Sequence, residues 1–130
     1  MSEEIILEEH ISTDGLLSLC VIKSEDADIT IGFVGYPWHT HGDILGGTSE
    51  TAAIRSFVDS IINDETIIAF SLINGKVTDV FPTENPTDDL DSMRKYGAPD
   101  ESMEFRYWSG KAIDGSLLLS PKATGLERVE

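Results

Sequence analysis

Basic residues are scarce in this chain: nine Lys and Arg stand against 24 Asp and Glu, a formal charge of −15 on 130 residues. A chain of this balance repels nucleic acid and anionic membrane and attracts cationic surfaces, so phosphate-reading functions are excluded and a basic protein partner is expected. Cysteine is nearly absent too. Cys20 has no second thiol in the chain, which excludes an internal disulfide framework, and its place in an apolar run (16–22) reads as a small core residue. No run approaches the roughly 18 apolar residues of a membrane span, and Met1-Ser2-Glu3-Glu4 lacks the basic start of a signal peptide, so a cytoplasmic location is expected.

What is present suffices for a core. Hydrophobic residues make up 40% of the chain, gathered in short separate runs, which is the pattern of a folded domain with a charged exterior and not of disorder. One domain over residues 1–130 is expected, with an acidic loop insert over 82–102 and a C-terminal tail over 121–130.

Ile5, Ile6, Leu7 and Ile11 mark a first strand, 16–23 its hairpin partner across Ser12-Thr13-Asp14-Gly15, and Ile29, Ile31 and Phe33 a third strand with the period of two. Gly35, Pro37 and Gly42 then break the regularity. From Ser49 the period becomes helical, with Ala53, Ile54, Phe57, Val58, Ile61 and Ile62 on one face; Thr48 or Ser49 can cap it and Glu50 suits its positive end. Residues 67–73 read as a strand, and Asn74-Gly75 is a hairpin turn into 76–81. Residues 103–113 and 116–119 form a last candidate hairpin across Asp114-Gly115. The expected fold is α+β: a mainly antiparallel sheet of about seven strands in hairpins on one long amphipathic helix, with a short helix in the insert.

The insert holds Glu84, Asp88, Asp89, Asp91, Asp100 and Glu101 against Arg94 and Lys95. Leu90, Met93 and Tyr96 fall at helical spacing after Thr87, and Gly97 and Pro99 stop the helix. First-turn carboxylates stabilise any surface helix, but a long acidic loop with an exposed Tyr96 on a rigid scaffold is also a docking element for a basic partner. Trp108 is the other candidate contact, since alternation places Phe105 and Tyr107 on one strand face and Trp108 on the opposite one.

A third feature is Trp38-His39-Thr40-His41-Gly42-Asp43. In an extended segment His39, His41 and Asp43 point the same way and could converge on one cation, a chemically sensible zinc set with a fourth position open for water. The competing reading has Trp38 capping the core while the histidines hydrogen-bond backbone groups in a Pro/Gly turn. Neither Ser49 nor Cys20 has a visible base, so no complete catalytic set is legible and a non-enzymatic role without cofactor is favoured, zinc being the alternative.

Two resemblances bear on these features. Residues 35–52, with His39-Thr40-His41-Gly42, six residues and Ser49, look like the zinc motif of the JAMM (MPN-type) metallopeptidases. That resemblance implies ligands at His39 and His41 and a supporting hydroxyl at Ser49, either in a zinc-dependent hydrolase or in a degenerate, non-catalytic relative. The chain departs from the motif at Gly42, where the family has proline, and at Ala52, where it has a zinc-binding aspartate. The small, acidic, single-domain character is similar to that of the immunity proteins that bacteria make against basic nuclease or other toxins. It implies an inhibitor that neutralises a basic toxin domain through a negatively charged surface, with Glu84, Asp88, Asp89, Asp91, Tyr96, Asp100, Glu101 and Trp108 as contacts. A homo-oligomeric accessory domain, a homodimer burying a face formed by Trp38 or Trp108, is the remaining class.

Overall fold

The fold was examined in a computed structural model that describes residues 4–47 and 49–113. The strand expected at 116–119, its turn at Asp114-Gly115, the tail 121–130 and Thr48 lie outside the described residues. Within them the chain is α+β, with eight strands in two four-stranded antiparallel sheets and two helices.

The first sheet is a meander of β1 (Ile5–Ile11), β2 (Ser18–Lys23), β3 (Ile29–Phe33) and β4 (His39–His41), in that order. Helix α1 (Glu50–Ile62) follows, then the second sheet: β5 (Ile67–Ile73), β6 (Lys76–Thr83), β7 (Glu101–Arg106) and β8 (Ala112–Ile113), arranged β6-β5-β7-β8. Helix α2 (Pro86–Tyr96) is the crossover between β6 and β7. The strand count exceeds the expected seven, and a single sheet becomes two. The short strand β4, pairing Gly32 with His39 and Thr30 with His41, closes the first sheet where a loop was expected.

Local chemistry explains the boundaries. Ser49, in extended conformation, accepts a hydrogen bond from the Ala52 amide and is the cap of α1. Asn74 and Gly75 both take positive φ, 53° and 78°, which is what a two-residue hairpin turn demands. The last hairpin differs from expectation. The strand stops at Arg106, and residues 107–110 make the turn, with the Tyr107 amide donating to the Lys111 carbonyl and the Gly110 amide to the Tyr107 carbonyl. Gly110 at φ 96° supplies the left-handed residue that a strand through 103–113 could not hold.

One core joins the two sheets to α1. Leu19, Val21, Ile31 and Phe33 from the first sheet meet Ile54, Val58 and Ile61 of α1 and Ile68, Phe70, Leu72 and Val80 of the second. The opposite face of the second sheet has its own core, where Ala69 and Phe105 pack with Leu90 of α2. Strand β5 therefore buries both faces, the reason its sequence is apolar at every position but Ser71. Arg55 of α1 reaches β1, pairing with Glu8 at 2.8 Å and with Asp59 one turn on at 3.0 Å. The Glu8 carboxyl is held below the usual glutamate range, first by its hydrogen bond with His10 and then by Arg55, and burial opposes this in part. In the β1–β2 turn buried Ser12 donates to Asp14 and accepts from the Leu17 amide, and the Asp14 carboxyl is lowered mainly by that hydroxyl. A hydrogen bond also links the halves: the Trp38 amide donates to the Asp79 carboxylate of β6 at 3.0 Å.

Candidate partner-binding site

The insert folds largely as expected. Asn85 caps α2 by accepting from the Asp88 amide, Pro86 occupies the first turn, where a missing N–H costs nothing, and Asp88 and Asp89 sit at the positive end. Pro86 and Leu90 are buried, so the helix is pinned to the second sheet by one stripe. The adjacent stripe, Asp89, Ser92, Met93 and Tyr96, spaced at three, four and seven residues, lines a groove of about 360 Å³ against that sheet. Its other wall comes from Ser71 of β5, Phe81 of β6, and Glu101 and Met103 of β7. Register explains their convergence, because Ser71 pairs with Met103, Ala69 with Phe81, and Ile73 with Glu101.

The carboxylates of this region divide by position. Glu84, Asp88 and Asp100 are exposed, while Asp89, Asp91 and Glu101 are half-buried. Asp91 pairs with Arg94 at 3.5 Å. The other five have no cationic partner among the described residues. Asp89 accepts from the Thr83 hydroxyl. Glu101 accepts from the Ala98 amide at 3.1 Å and, more weakly, from the Ser71 hydroxyl at 3.4 Å. Asp88 accepts from the Asn85 side-chain amide at 2.8 Å, so neutral donors hold three of these carboxylates in place without neutralising them. Gly97 makes room for this: a Cβ there would lie 2.5 Å from the Met93 carbonyl oxygen and 2.6 Å from Glu101 Oε1. Tyr96 is 84% exposed at the end of the same stripe.

Two expected contacts change role. Trp108 belongs to the main core at 6% exposure, so it is no exposed anchor. Phe105 and Trp108 do lie on opposite sides, one in the outer core and the other in the main core, but both sides of the sheet are covered, so neither is exposed. The Ser109 amide fixes the turn over 107–110 by donating to Asp64 at 2.9 Å. Trp38 is half-buried against the core, its ring 6.1 Å from Phe33 and 6.4 Å from Phe57. Trp108 therefore presents no exposed face, while Trp38 keeps part of its surface open.

His39 and His41 do point to one face of β4, with ring centroids 5.2 Å apart in an edge-on arrangement. Asp43 does not join them. The strand ends at His41 and a 3₁₀ turn over Gly42–Ile44 removes the two-residue alternation on which that convergence relied. His41 Nδ1 instead meets Asp28 Oδ2 at 3.0 Å, and His39 Nδ1 meets the Pro37 carbonyl at 3.1 Å. Among the described residues no group of three or more His, Cys, Asp or Glu side chains is placed to hold a metal ion. Two positions of the JAMM-like stretch have local structural roles: Ser49 caps a helix, and Gly42 is buried where a Cβ would lie 2.6 Å from Glu50 Oε2 and 2.7 Å from Ile54 Cδ1, so a larger residue would require those side-chain ends to move.

Sequence reasoning found the acids and Tyr96 but missed Ser71, Phe81, Ser92, Met93 and Met103 as groove walls. The stripe from Asp89 to Tyr96 carried a signal for Ser92 and Met93. The strand residues could come only from pairing. No helix of the described residues is long and apolar enough to cross a membrane. Comparison of the chain with protein-family models, with curated proteins and with solved structures finds no match.

Proposed function

We propose that this chain is an acidic binding protein that masks a basic protein partner, in the manner of an immunity-type inhibitor of a cationic toxin, with α2 and its flanking residues as the contact. The observation that carries this reading is the set of five carboxylates around α2 without cationic partners among the described residues, beside an exposed Tyr96 and an open groove. Elsewhere Arg55 pairs with Glu8 and Asp59, and Arg106 with Glu104; what sets the α2 carboxylates apart is their concentration, six acids within residues 84–101. Unpaired carboxylates on a pinned helix steer a cation at a distance, and electrostatic steering lifts association towards about 10⁸–10⁹ M⁻¹s⁻¹ at low salt. Tyrosine supplies area at low entropic cost, the usual anchor of such a contact.

The test compares two triple variants of equal charge change against one defined probe, poly-L-lysine. Asp88→Asn/Asp89→Asn/Asp91→Asn should slow association and flatten its salt dependence. Asp43→Asn/Glu50→Gln/Glu65→Gln, all exposed positions away from α2, should do so markedly less. Equal effects from the two triples would mean that the whole surface attracts the probe evenly, and the α2 contact would be wrong.

A further inference from the structure

The two histidines of β4 use only one of their two ring nitrogens. His39 Nδ1 lies 3.1 Å from the Pro37 carbonyl oxygen, and His41 Nδ1 lies 3.0 Å from Asp28 Oδ2. Carbonyl and carboxylate oxygens accept, so each Nδ1 carries the proton, and in the neutral ring Nε2 keeps its lone pair. Neither Nε2 has a protein partner among the described residues. Both rings reach solvent, His39 being exposed and His41 half-buried.

The register turns these lone pairs toward each other. Pro37 precedes His39, on the side away from His41, whereas Asp28 lies beyond Thr30, the strand partner of His41, on the side away from His39. Each Nδ1 is thus drawn outward along the strand, and Nε2, across the ring from it, faces the space between the rings. Imidazole nitrogens bind zinc at about 2.0–2.1 Å, which sets the centroids of two rings on one tetrahedral ion about 5 Å apart. The observed separation is 5.2 Å. The edge-on arrangement is compatible with this, because a ring can turn about its metal–nitrogen bond without changing that separation.

We propose that His39 and His41 chelate one divalent transition-metal ion through their Nε2 atoms, with Asp28 and the Pro37 carbonyl as orienting partners and water in the remaining positions. Ligating histidines donate their other ring nitrogen to a carboxylate or a backbone carbonyl, and both forms occur here. The pair differs from the three ligands expected from the sequence: Asp43 takes no part, and Asp28 orients a ring without touching the ion. Imidazole suits copper, nickel and zinc, of which copper(II) binds tightest, while calcium and magnesium prefer carboxylates. The site lies apart from α2 and does not depend on the masking role.

A chain of charge −15 attracts any cation, so the experiment titrates the full chain with copper(II) chloride in excess calcium, which occupies the surface carboxylates. Electron paramagnetic resonance should show one ion per chain coupled to two imidazole nitrogens. His39→Ala and His41→Ala should each weaken binding at least tenfold, and Asp28→Ala about tenfold with both nitrogen couplings kept. His10→Ala, which removes the remaining histidine, should change nothing. In the unsubstituted chain, ¹⁵N-labelled, zinc chloride should shift the amides of Thr30, His39, Thr40 and His41 and leave α2 unmoved. Coupling to fewer than two nitrogens, displacement by calcium, dependence on His10, or zinc shifts centred on the acids of α2 would each overturn the proposal. Full binding by Asp28→Ala would overturn the orienting role given to that carboxylate.

Discussion

The two sheets have the same number of strands and the same antiparallel pairing, but they are covered differently. The first sheet turns Leu19, Val21, Ile31 and Phe33 to the main core, while its other face carries His39, His41 and Thr30 beside the buried Cys20 and has no helix over it. The second sheet is buried on both faces because α2, inserted between β6 and β7, lies over its outer side. The difference shows what the acidic insert is for in the fold. A loop of charged residues could not cover Ala69 and Phe105, whereas a helix that buries Pro86 and Leu90 covers them and presents its remaining faces, acids included, in fixed positions. A groove then lies between this helix and Ser71, Phe81, Glu101 and Met103 of the sheet.

The comparison can be broken most forcefully at Phe105. If the outer face of the second sheet is a true core, Phe105→Ala should cost about 3–5 kcal/mol in chemical denaturation. His39→Ala, on the uncovered face of the first sheet, should fall within about 0.5 kcal/mol of the parent. Similar losses at the two sites would erase the distinction. Next in size is the cap of α1, the helix that both sheets share: Ser49→Ala should cost about 1 kcal/mol, and Ser49→Asp should restore most of it. A loss of activity-like binding without a loss of stability in Ser49→Ala would give the hydroxyl a role beyond capping.

Much of this was legible in the residues. The period-two strand at Ile29, Ile31 and Phe33, the helical stripe from Ala53 to Ile62, the Asn74-Gly75 turn and the helix in the insert all follow from local chemistry, and all are observed; the cap of the insert helix, Asn85, was not read. What was not legible depended on long-range packing or on a turn that overrides a pattern. Trp108 lies on the side that alternation assigned to it, but that side is covered by the main core. Asp43 shared a parity with His39 and His41 until a 3₁₀ turn ended the strand, while Asp28, which does meet His41, lies 13 residues away in sequence. The split into two sheets could not be read from strand propensity, since apolar and alternating strands occur in both sheets and which strands pair is decided by packing. Phe81 and Met103 became groove walls only through their registers with β5.

The smallest expected effect concerns the edge of the first sheet. Glu8 has a carboxyl lowered by His10 and Arg55, so the stability it contributes is present above the ordinary glutamate value of about 4.3 and is lost as pH falls through the lower folded value. In Glu8→Gln this acid-limb contribution should vanish, so the gap between parent and variant should close as thermal melts are taken from about pH 6 to about pH 3. A gap that stays constant over that range would mean that the contacts of Glu8 with His10 and Arg55 contribute nothing through charge.

The claim on which the functional account rests is that recognition belongs to α2 and not to the acidic surface as a whole. Hydrogen–deuterium exchange of the full chain, with and without poly-L-lysine, tests it directly. The account predicts slowed exchange confined to α2 and β7, with β1 to β4 unchanged. Uniform slowing over the molecule, or slowing centred on the first sheet, would contradict it.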